Sequence, residues 1–589
     1  MIQPILNEIP TSRDMLDTFL GYNHNLRIGN GEFFNMENMT SSHYPILSPR
    51  SKRGVYLTPE NPQGLIAKDT LCFVDGTDFV MDEYRINMGL STDEKDCPKR
   101  LVSMGAYVII MPDKKYINTK NLTDFGNIEE KYTSKTTVTY ELCAIDGTGF
   151  SNTTVSPSEP ASPENMDYWL DTSSSPHTLK QYSATSAVWV NIATTYIKIS
   201  CSNIAKNIKQ YDGVKISGID SSLTQLSDLE GQISIVWEAY HEEGGAGDYI
   251  VVIGILDNAA SQTTPLTVSR DMPNLDFIIE SENRLWGCRY GVAANGEVVN
   301  EIYASKLGDF KNWNCFMGVS TDSYVASCGT DGQFTGAITH LGHPLFFKEN
   351  CVHKVYGNFP SNYQIQTTTC RGVQRGSENS LAIVNEVLYY KSRSGVCIYD
   401  GSLPAEISYR LGNEHYTDAV AGSNASKYYI SMKDTKGKWH LFVYDASTDM
   451  WHREDNTHAK AFCSCRGEMY YINSDNKIMT ILGTGEKDTS PVKWMVETGV
   501  IGMNMPDKKY ISRLVARMSL EMGARAMFFI QYDSSGDYEH LFTMSGTSLK
   551  SFTVPIRPRR CDHFRLRIEG VGDMKMYSIT KTLEQGSDV

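Results

Sequence analysis

Short apolar and aromatic stretches, separated by glycine, asparagine and aspartate turns, recur along most of this sequence. From about residue 65 to 484, pairs of such stretches follow one another, as in 69–86 (DTLCFVDGTDFVMDEYRI) and 380–400 (SLAIVNEVLYYKSRSGVCIYD). Gly, Asn and Asp tolerate the positive φ of tight turns, so the pattern predicts β-hairpins. A recurrence of about 40 residues with several strands per unit is typical of propeller blades.

The sequence therefore predicts an all-β fold: a β-propeller of about six to seven blades with an inserted small β-domain and a C-terminal β-sandwich. We place an extended N-terminal segment at 1–64, the propeller at 65–133 and 269–484, the insertion at 134–268 and the sandwich at 492–589. The stretch 483–491 (GTGEKDTSP) predicts a linker before the sandwich. Short helical turns are expected only near 12–19 and 222–229.

Aromatic residues dominate the predicted strands, and tyrosine alone occurs 33 times. Such side chains fit the pleated, half-buried surface of a sheet. Because they recur at matching positions of successive units, we expect them to pack between neighbouring blades rather than to stack on a ligand. The residues with this expected role are Phe346, Tyr389, Tyr390, Tyr428, Tyr429, Tyr470 and Tyr471.

The net charge of −14, without any Lys/Arg-rich run, disfavours electrostatic binding of nucleic acid over most of the surface. The 13 cysteines are odd in number and irregularly spaced, which favours buried free thiols made in a reducing cytosol. The N-terminus lacks the pattern of a secretory signal, and no apolar stretch approaches the roughly 18–20 residues of a membrane span. We expect no membrane segment.

Several segments together resemble a known class of proteins. The segment 30–54 (NGEFFNMENMTSSHYPILSPRSKRG) resembles the opening of virion proteins of tailed phages, and 284–288, 302–313 and 343–357 look like blades of the same proteins. The general plan is similar to that of tail nozzle and hub proteins of short-tailed phages. This resemblance implies a structural subunit of a closed ring, commonly a hexamer, that contacts other tail or head–tail connector proteins.

The same resemblance implies that phage DNA passes transiently through the ring, and that the protein resides in the virion tail after assembly in the host bacterial cytoplasm. An acidic lumen would suit that passage. Two small basic clusters could grip an acidic neighbouring subunit, and they form the predicted subunit interface. Their members are Arg50, Lys52, Arg53, Arg557, Arg559 and Arg560.

Two groups of side chains invite a catalytic interpretation. His340, His343 and His353 could bind a metal, but no acidic residue has the spacing of a metalloprotease site, and solvated turn histidines are the simpler interpretation. The acids within 276–282 are neighbours on one strand, where two carboxylates seldom straddle a glycosidic bond, so an exposed strand edge is favoured. The polar run 452–455 (HRED) predicts a loop at a blade tip.

No nucleophile-elbow, phosphate-binding or dinucleotide-binding pattern occurs, so we expect neither an enzyme nor a cofactor. Two alternatives to the ring subunit remain. A tail-tip adhesin would bind carbohydrate on exposed aromatics of the sandwich, with Trp494 or Tyr538 as the candidate platform. A host-wall hydrolase would have only scattered carboxylates to work with.

Overall fold

The computed structural model describes residues 11–150, 153–293, 296–483, 486–487, 490–505 and 507–586. The fold is all-β, a β-propeller with an inserted β-domain and a C-terminal β-sandwich. From residue 11 onward, five strands precede the first blade: β1 (Thr11–Leu16), β2 (Phe33–Glu37), β3 (Met39–Thr40), β4 (Ser48–Pro49) and β5 (Gly54–Leu57). The stretch 12–19 thus contains a strand where a helical turn was predicted. These strands join sheets formed by distant parts of the chain.

Blades 1 and 2 follow directly, each an antiparallel sheet of four consecutive strands. Blade 1 contains β6 (Pro62–Ala67), β7 (Leu71–Asp75), β8 (Asp78–Met81) and β9 (Tyr84–Asn87); blade 2 contains β10 (Arg100–Met104), β11 (Tyr107–Met111), β12 (Lys115–Asn118) and β13 (Asn121–Asn127). Tight turns join their strands, and Gly76 takes a φ of 63° between β7 and β8, where glycine pays no steric penalty.

The insertion lies between blades 2 and 3. Its strands are β14 (Glu130–Thr133), β15 (Val138–Cys143), β16 (Thr153–Ser156), β17 (Tyr168–Asp171), β18 (Thr178–Ser183), β19 (Val188–Asn191), β20 (Tyr196–Ser200), β21 (Gly213–Ser217), β22 (Ile233–Ile235), β23 (Glu238–Tyr240), β24 (Tyr249–Ile253), β25 (Ala260–Gln262) and β26 (Thr267–Arg270). The sheets β14-β26-β21-β22 and β23-β24-β20-β15-β25 enclose a common core, while β16–β19 form a separate four-stranded sheet. A 3-10 helix at Thr224–Leu229 confirms the turn predicted there.

Five more blades complete a ring of seven within the described residues. Their strands are β27 (Phe277–Ser281), β28 (Arg284–Val292), β29 (Val298–Ala304) and β30 (Tyr324–Ser327); β31 (Gly336–His340), β32 (His343–Lys348), β33 (Cys351–Tyr356) and β34 (Gln364–Thr369); β35 (Ala382–Val384), β36 (Val387–Lys391), β37 (Val396–Tyr399) and β38 (Ala405–Glu406); β39 (Tyr416–Asn424), β40 (Lys427–Asp434), β41 (Trp439–Asp445) and β42 (Met450–Arg453); and β43 (Ala459–Cys465), β44 (Glu468–Asn473) and β45 (Ile478–Thr480). Short 3-10 helices lie at Glu94–Asp96, Pro360–Asn362, Glu378–Ser380 and Ser408–Leu411.

The last blade is completed by a strand from the other end of the chain. β5 pairs antiparallel with β45, and the short strand β46 (Glu486–Lys487) pairs with β5 in turn. A shared core that includes Phe73, Ile472 and Ile478 then joins this blade to blade 1. Ring closure therefore depends on residues more than 400 positions apart in sequence.

The aromatic side chains predicted to lie between blades are buried there. Phe346, Tyr390 and Tyr428 have no exposed surface, and Tyr389 stacks on Tyr428 of the next blade with 5.1 Å between ring centroids. Aromatic pairs of this kind contribute about 0.5–1.5 kcal/mol beyond their buried area. The prediction is confirmed, with Tyr470 only half-buried. All 13 cysteines are free, as expected.

The C-terminal strands form one curled sheet. They are β47 (Lys493–Thr498), β48 (Lys509–Tyr532), β49 (Glu539–Val554), β50 (Phe564–Val571) and β51 (Met574–Gln585), in the order β1-β51-β48-β50-β47-β2, with β49 also on β48. The first half of β48 pairs with β51 and its second half with β50, so this strand belongs to both layers of the sandwich. The sandwich core is continuous with that of the sixth blade through Tyr22, Phe33 and Met36.

A buried ion cluster fixes the N-terminal segment to the propeller. Arg53 contacts Glu454 at 2.5 Å and Asp455 at 2.8 Å, and Arg50 lies 3.2 Å from Asp455. Burial by itself lowers the pKa of Arg53, but the surrounding acids, above all Asp455, raise it well above the usual value. Residues 452–455 are therefore not the exposed blade-tip loop predicted: His452, Arg453 and Glu454 are buried, and Asp455 is half-buried in the ion cluster.

Replacing Arg53 by methionine should lower the free energy of unfolding by about 3–5 kcal/mol, because Glu454 and Asp455 lose the nearer of their two cations and only Arg50 is left to balance both charges. Denaturant unfolding would measure the loss. The matched control is Arg559→Met, which breaks an exposed pair with Glu539 and should cost at most about 1 kcal/mol. Equal losses in the two variants would contradict the assigned role.

Acid should also destabilise the fold. Burial lowers the pKa of His353 to about 4 and that of His452 to about 3. Both rings are neutral when folded but take up protons when unfolded below the ordinary pKa of about 6.5. The stability that depends on these two neutral histidines is thus fully present above pH 6.5, and it is lost progressively as the pH decreases from there toward 4. Denaturation at pH 7.5 and 5.5 should show this loss, and it should be smaller in His353→Gln.

Candidate functional site

The propeller axis holds a narrow cavity. It measures about 300 Å³ and is lined by the innermost strands of several blades. Arg100 of blade 2 reaches Glu378 at 3.3 Å, and its guanidinium lies 4.2 Å from the ring of Phe277. These side chains close the axis, so nucleic acid has no passage through a single propeller. A DNA conduit would have to form between copies, and that remains a prediction.

The first predicted subunit-interface cluster is largely taken up inside the chain. Arg50 and Arg53 pair with Glu454 and Asp455, as described, and Lys52 is half-buried beside them. Because their partners belong to the same chain, Arg50 and Arg53 stabilise the fold. A role for this cluster at a subunit interface stays a prediction.

The second cluster lies on the surface of the sandwich. Arg557, Arg559 and Arg560 are exposed. Arg559 pairs with Glu539 at 2.8 Å and lies over the ring of Tyr532. A role for these residues at a subunit interface stays a prediction.

The aromatic platform suggested for the sandwich is not where the sequence placed it. Trp494 is 2% exposed, its indole N–H donates to the carbonyl of Gly572 at 2.9 Å, and its ring packs against Gly570. Tyr538 is half-buried beneath the guanidinium of Arg567. Trp494 is thus part of the sandwich core, and its assignment as a ligand platform was wrong.

The residues suspected of chemistry are also structural. The ring of His353 hydrogen-bonds the hydroxyls of Thr330 and Thr367 at 2.9 Å, and His340 contacts the carbonyl of Glu386 at 2.7 Å. Strand β27, which carries Glu280, is the edge strand of its blade that lines the propeller axis, while Asp276 and Glu282 lie just beyond its two ends and are exposed. Within the described ranges no group of three or more His, Cys, Asp or Glu side chains could hold a metal ion.

One unexpected surface gathers aromatic and polar side chains. On the small sheet β16–β19, alternation places Trp169, Tyr182 and Trp189 on the same face. Trp189 lies opposite Tyr182 in register, with ring centroids 5.2 Å apart, and 5.5 Å from Trp169 in an edge-on contact. Tyr182 and Trp189 are half-buried, so part of each ring faces outward, whereas Trp169 is 6% exposed and supports them from below. We refer to these three residues as the aromatic face.

Polar groups frame the aromatic face. Lys180 lies 4.4 Å from the ring of Trp169 and donates to Asp171 at 2.8 Å. That bond, together with those from Ser173, lowers the pKa of Asp171 to about 2, so the carboxylate is charged at neutral pH. Asn191 of β19 lies opposite Lys180 of β18 in the strand register and is exposed. Rings flanked by a carboxylate, an ammonium and an amide can bind a ligand that has both apolar and hydroxyl groups.

The opposite face of this sheet is buried at β17 and β18 and exposed at β19. Leu170 and Leu179 are buried, and Tyr168 packs against Phe150 at 4.7 Å. The indole N–H of Trp189 is buried without an acceptor among the described residues. A buried donor without a partner is uncommon in native proteins, and a site completed by a ligand is one setting for it.

Sequence reasoning missed this face because strand pairing, not composition, creates it. The stretches YWLD and VWVN each alternate as strands do, but they are 20 residues apart and their partners cannot be read from either. The available signal was the presence of two of the chain's 8 tryptophans within the insertion's most irregular region.

Comparisons with known proteins give low similarity. No protein-family model and no curated protein matches the sequence. Among solved structures, an exo-β-1,3-galactanase from Phanerochaete chrysosporium matches at 9% identity over 52% of this chain and 94% of that one, with a TM-score of 0.21. A sialidase from Trypanosoma rangeli matches at 8% identity over 91% and 95%, with a TM-score of 0.16.

A GH43 glycoside hydrolase also matches, at 8% identity over 53% of this chain and 96% of that one, with a TM-score of 0.20. Glycoside hydrolases thus recur among the matches, which contradicts the expectation that this chain is of a non-enzymatic kind. Identities of this size do not assign a reaction to this chain. Within the described ranges no helix has the length and apolar character needed to cross a bilayer.

Replacing Trp494 by alanine should unfold the sandwich rather than remove a ligand contact. We expect a loss of about 3–5 kcal/mol in the free energy of unfolding, because a large buried side chain leaves a cavity. Tyr538→Ala, at a half-buried position, should cost less. If Trp494→Ala left the unfolding midpoint unchanged, the assignment of this side chain to the core would fail.

Proposed function

We propose that this chain binds carbohydrate through the aromatic face, as a receptor-binding component of a phage tail. The observation that carries the proposal is the grouping of Trp169, Tyr182 and Trp189 within a frame of Asp171 and Lys180 on one sheet face. The placement in a tail is supported by the resemblance of the sequence to virion proteins and by nothing else.

The chemistry of a sugar suits both parts of this surface. One side of a pyranose ring presents C–H groups that pack on an aromatic ring, and its hydroxyls donate to a carboxylate or accept from an ammonium group or amide. The ion pair between Lys180 and Asp171 holds these groups in place before a ligand arrives, which reduces the entropy lost on binding. An aromatic side chain at the centre of such a site is the usual binding hot spot.

The position of the sheet also favours contact with an external polymer. The sheet belongs to an insertion within the inserted domain, and the strand β19 lies at its edge. Val188 and Val190 of this strand are 50% and 52% exposed on the opposite face. On the aromatic face itself, Tyr182 and Trp189 are half-buried and Asn191 is exposed, so a long ligand could reach this face from the edge of the sheet.

A glycan array and purified cell-wall polysaccharides from bacterial hosts test the proposal. Trp189→Ala should weaken binding about tenfold or more, since truncating a central aromatic typically costs 2 kcal/mol or more. Val188→Ala is the matched control, because it changes the same strand on the opposite face and should leave the affinity unchanged. The two variants should share the melting temperature of the parent protein.

The same samples should be assayed for reducing sugar, because its release from the polysaccharides would show that the protein hydrolyses them as well as binding them. Binding that is equally strong in Trp189→Ala and in the parent protein would exclude the aromatic face. The absence of any carbohydrate ligand on the array and on host walls would exclude the function itself.

A further inference from the structure

A second concave site lies between the sixth blade and the sandwich. It is a cavity of about 360 Å³ at the junction of the N-terminal segment, strands β39–β42 and strand β47. The side chains that give it its character are Tyr22, Glu37, Glu414, Tyr416, His440 and Arg453. Junctions between domains are common places for ligand sites. We call this cavity the cleft.

The floor of the cleft is a rigid chain of polar contacts. Asp434 accepts from Nε2 of His440 at 2.9 Å, and Nδ1 of His440 accepts from Nε of Arg453 at 3.3 Å. Burial lowers the pKa of His440, which agrees with a neutral ring that donates through Nε2 and accepts through Nδ1. Asp434 is itself held by the backbone N–H groups of Lys436 and Lys438.

Arg453 is fixed on its other side as well. Its guanidinium donates to the carbonyl of Met36 at 3.2 Å and to the side chain of Asn456 at 2.7 Å. Because Arg453 is 8% exposed and hydrogen-bonded on both sides, its guanidinium is held in one position at the cleft. Glu37 stands 3.9 Å from it at the wall of the cleft.

Two phenols form the other wall. Tyr22 and Tyr416 are 4% and 8% exposed, and both rings pack on Phe442, with centroid distances of 5.7 and 5.4 Å. Burial raises the pKa of Tyr22 to about 12, with Arg453 opposing and Glu414 adding to the shift, and burial raises that of Tyr416 as well. Among the described residues neither phenol hydroxyl has a hydrogen-bond partner, so both protons are available to a ligand in the cleft.

We propose that the cleft binds a small neutral polyhydroxylated ligand, such as one or two sugar units. Glu37 and Glu414 accept hydrogen bonds from its hydroxyls, and the phenols of Tyr22 and Tyr416 donate to its oxygens. The volume lies at the small end of the range for ligand pockets. This second site does not require the aromatic face to bind carbohydrate.

The charges in the cleft disfavour the other ligand classes. An anion would meet the carboxylates of Glu37 and Glu414, and a cation would meet Arg453 with Lys436 and Lys438 at the rim. A metal ion is disfavoured because no set of three suitable ligands occurs within the described residues. A neutral ligand with several hydroxyls satisfies acceptors and donors together without leaving a charge unpaired.

Calorimetry of the full chain with neutral hexoses, pentoses, N-acetylhexosamines and their disaccharides tests the proposal. Tyr416→Phe removes one hydroxyl and should weaken binding about threefold to tenfold, whereas Glu414→Gln should weaken it about tenfold or more because a charged acceptor is lost. The matched control is Tyr409→Phe, an exposed tyrosine close by in sequence, which should leave the affinity unchanged.

Trp189→Ala separates the cleft from the aromatic face, since it should leave binding in the cleft intact. Equal affinity in Tyr416→Phe and the parent protein would overturn the proposal. The proposal would also be overturned if no sugar gave a heat of binding at concentrations up to about 10 mM, because a dissociation constant above that value would be too weak for a functional site. Melting temperatures of the variants, which should match that of the parent, show that loss of binding is not loss of fold.

Discussion

The structure depends on one constraint, the closure of the propeller by a strand from the N-terminal segment. β5 can pair with β45 only if the preceding residues are held at the same place, and the ion cluster of Arg50 and Arg53 with Glu454 and Asp455 holds them there. A cluster of this kind is strongly destabilising when one member is removed, because the others stay buried. The same segment supplies β1 and β2 to the sandwich, so ring, cluster and sandwich form a single packed unit.

This constraint decides which side chains are free to act on other molecules. Arg53, Glu454 and Trp494 have the chemistry expected of a surface site, yet each is buried where the N-terminal segment packs against the last blades and the sandwich. Side chains at the edges of that unit stay accessible to other molecules. The aromatic face stands on a sheet inserted into the insertion, and the cleft opens where blade and sandwich meet without filling the space between them. Both candidate sites are therefore additions to the fold that leave its core intact.

Local pattern predicted the parts of the fold that form locally. Hairpins such as β36–β37 join neighbours in sequence, so alternating apolar residues and turn residues were enough to predict the blades and the burial of Tyr389 and Tyr390. Pairings between strands that are distant in sequence could not be predicted from such local patterns. β1 looks like a helical turn until β51 is known to lie beside it, and Trp494 could face either way until the register of β47 with β50 fixes its direction. The candidate sites were missed for the same reason, since register in one case and domain packing in the other create them.

The closed axis gives the two candidate sites their significance. In a ring of small sheets the centre is the place where side chains from all blades converge, but here Arg100 and Glu378 meet across it and Phe277 covers the guanidinium. A pair in this position stabilises the blades that contribute it, and the remaining cavity of about 300 Å³ gives a polymer no passage along the axis. A polymer must then be contacted at the periphery, on surfaces that a rigid propeller holds at fixed separation. Two peripheral sites of related ligand chemistry on one rigid frame can engage a single polymer together, and the second contact then gains from the first by its raised effective concentration.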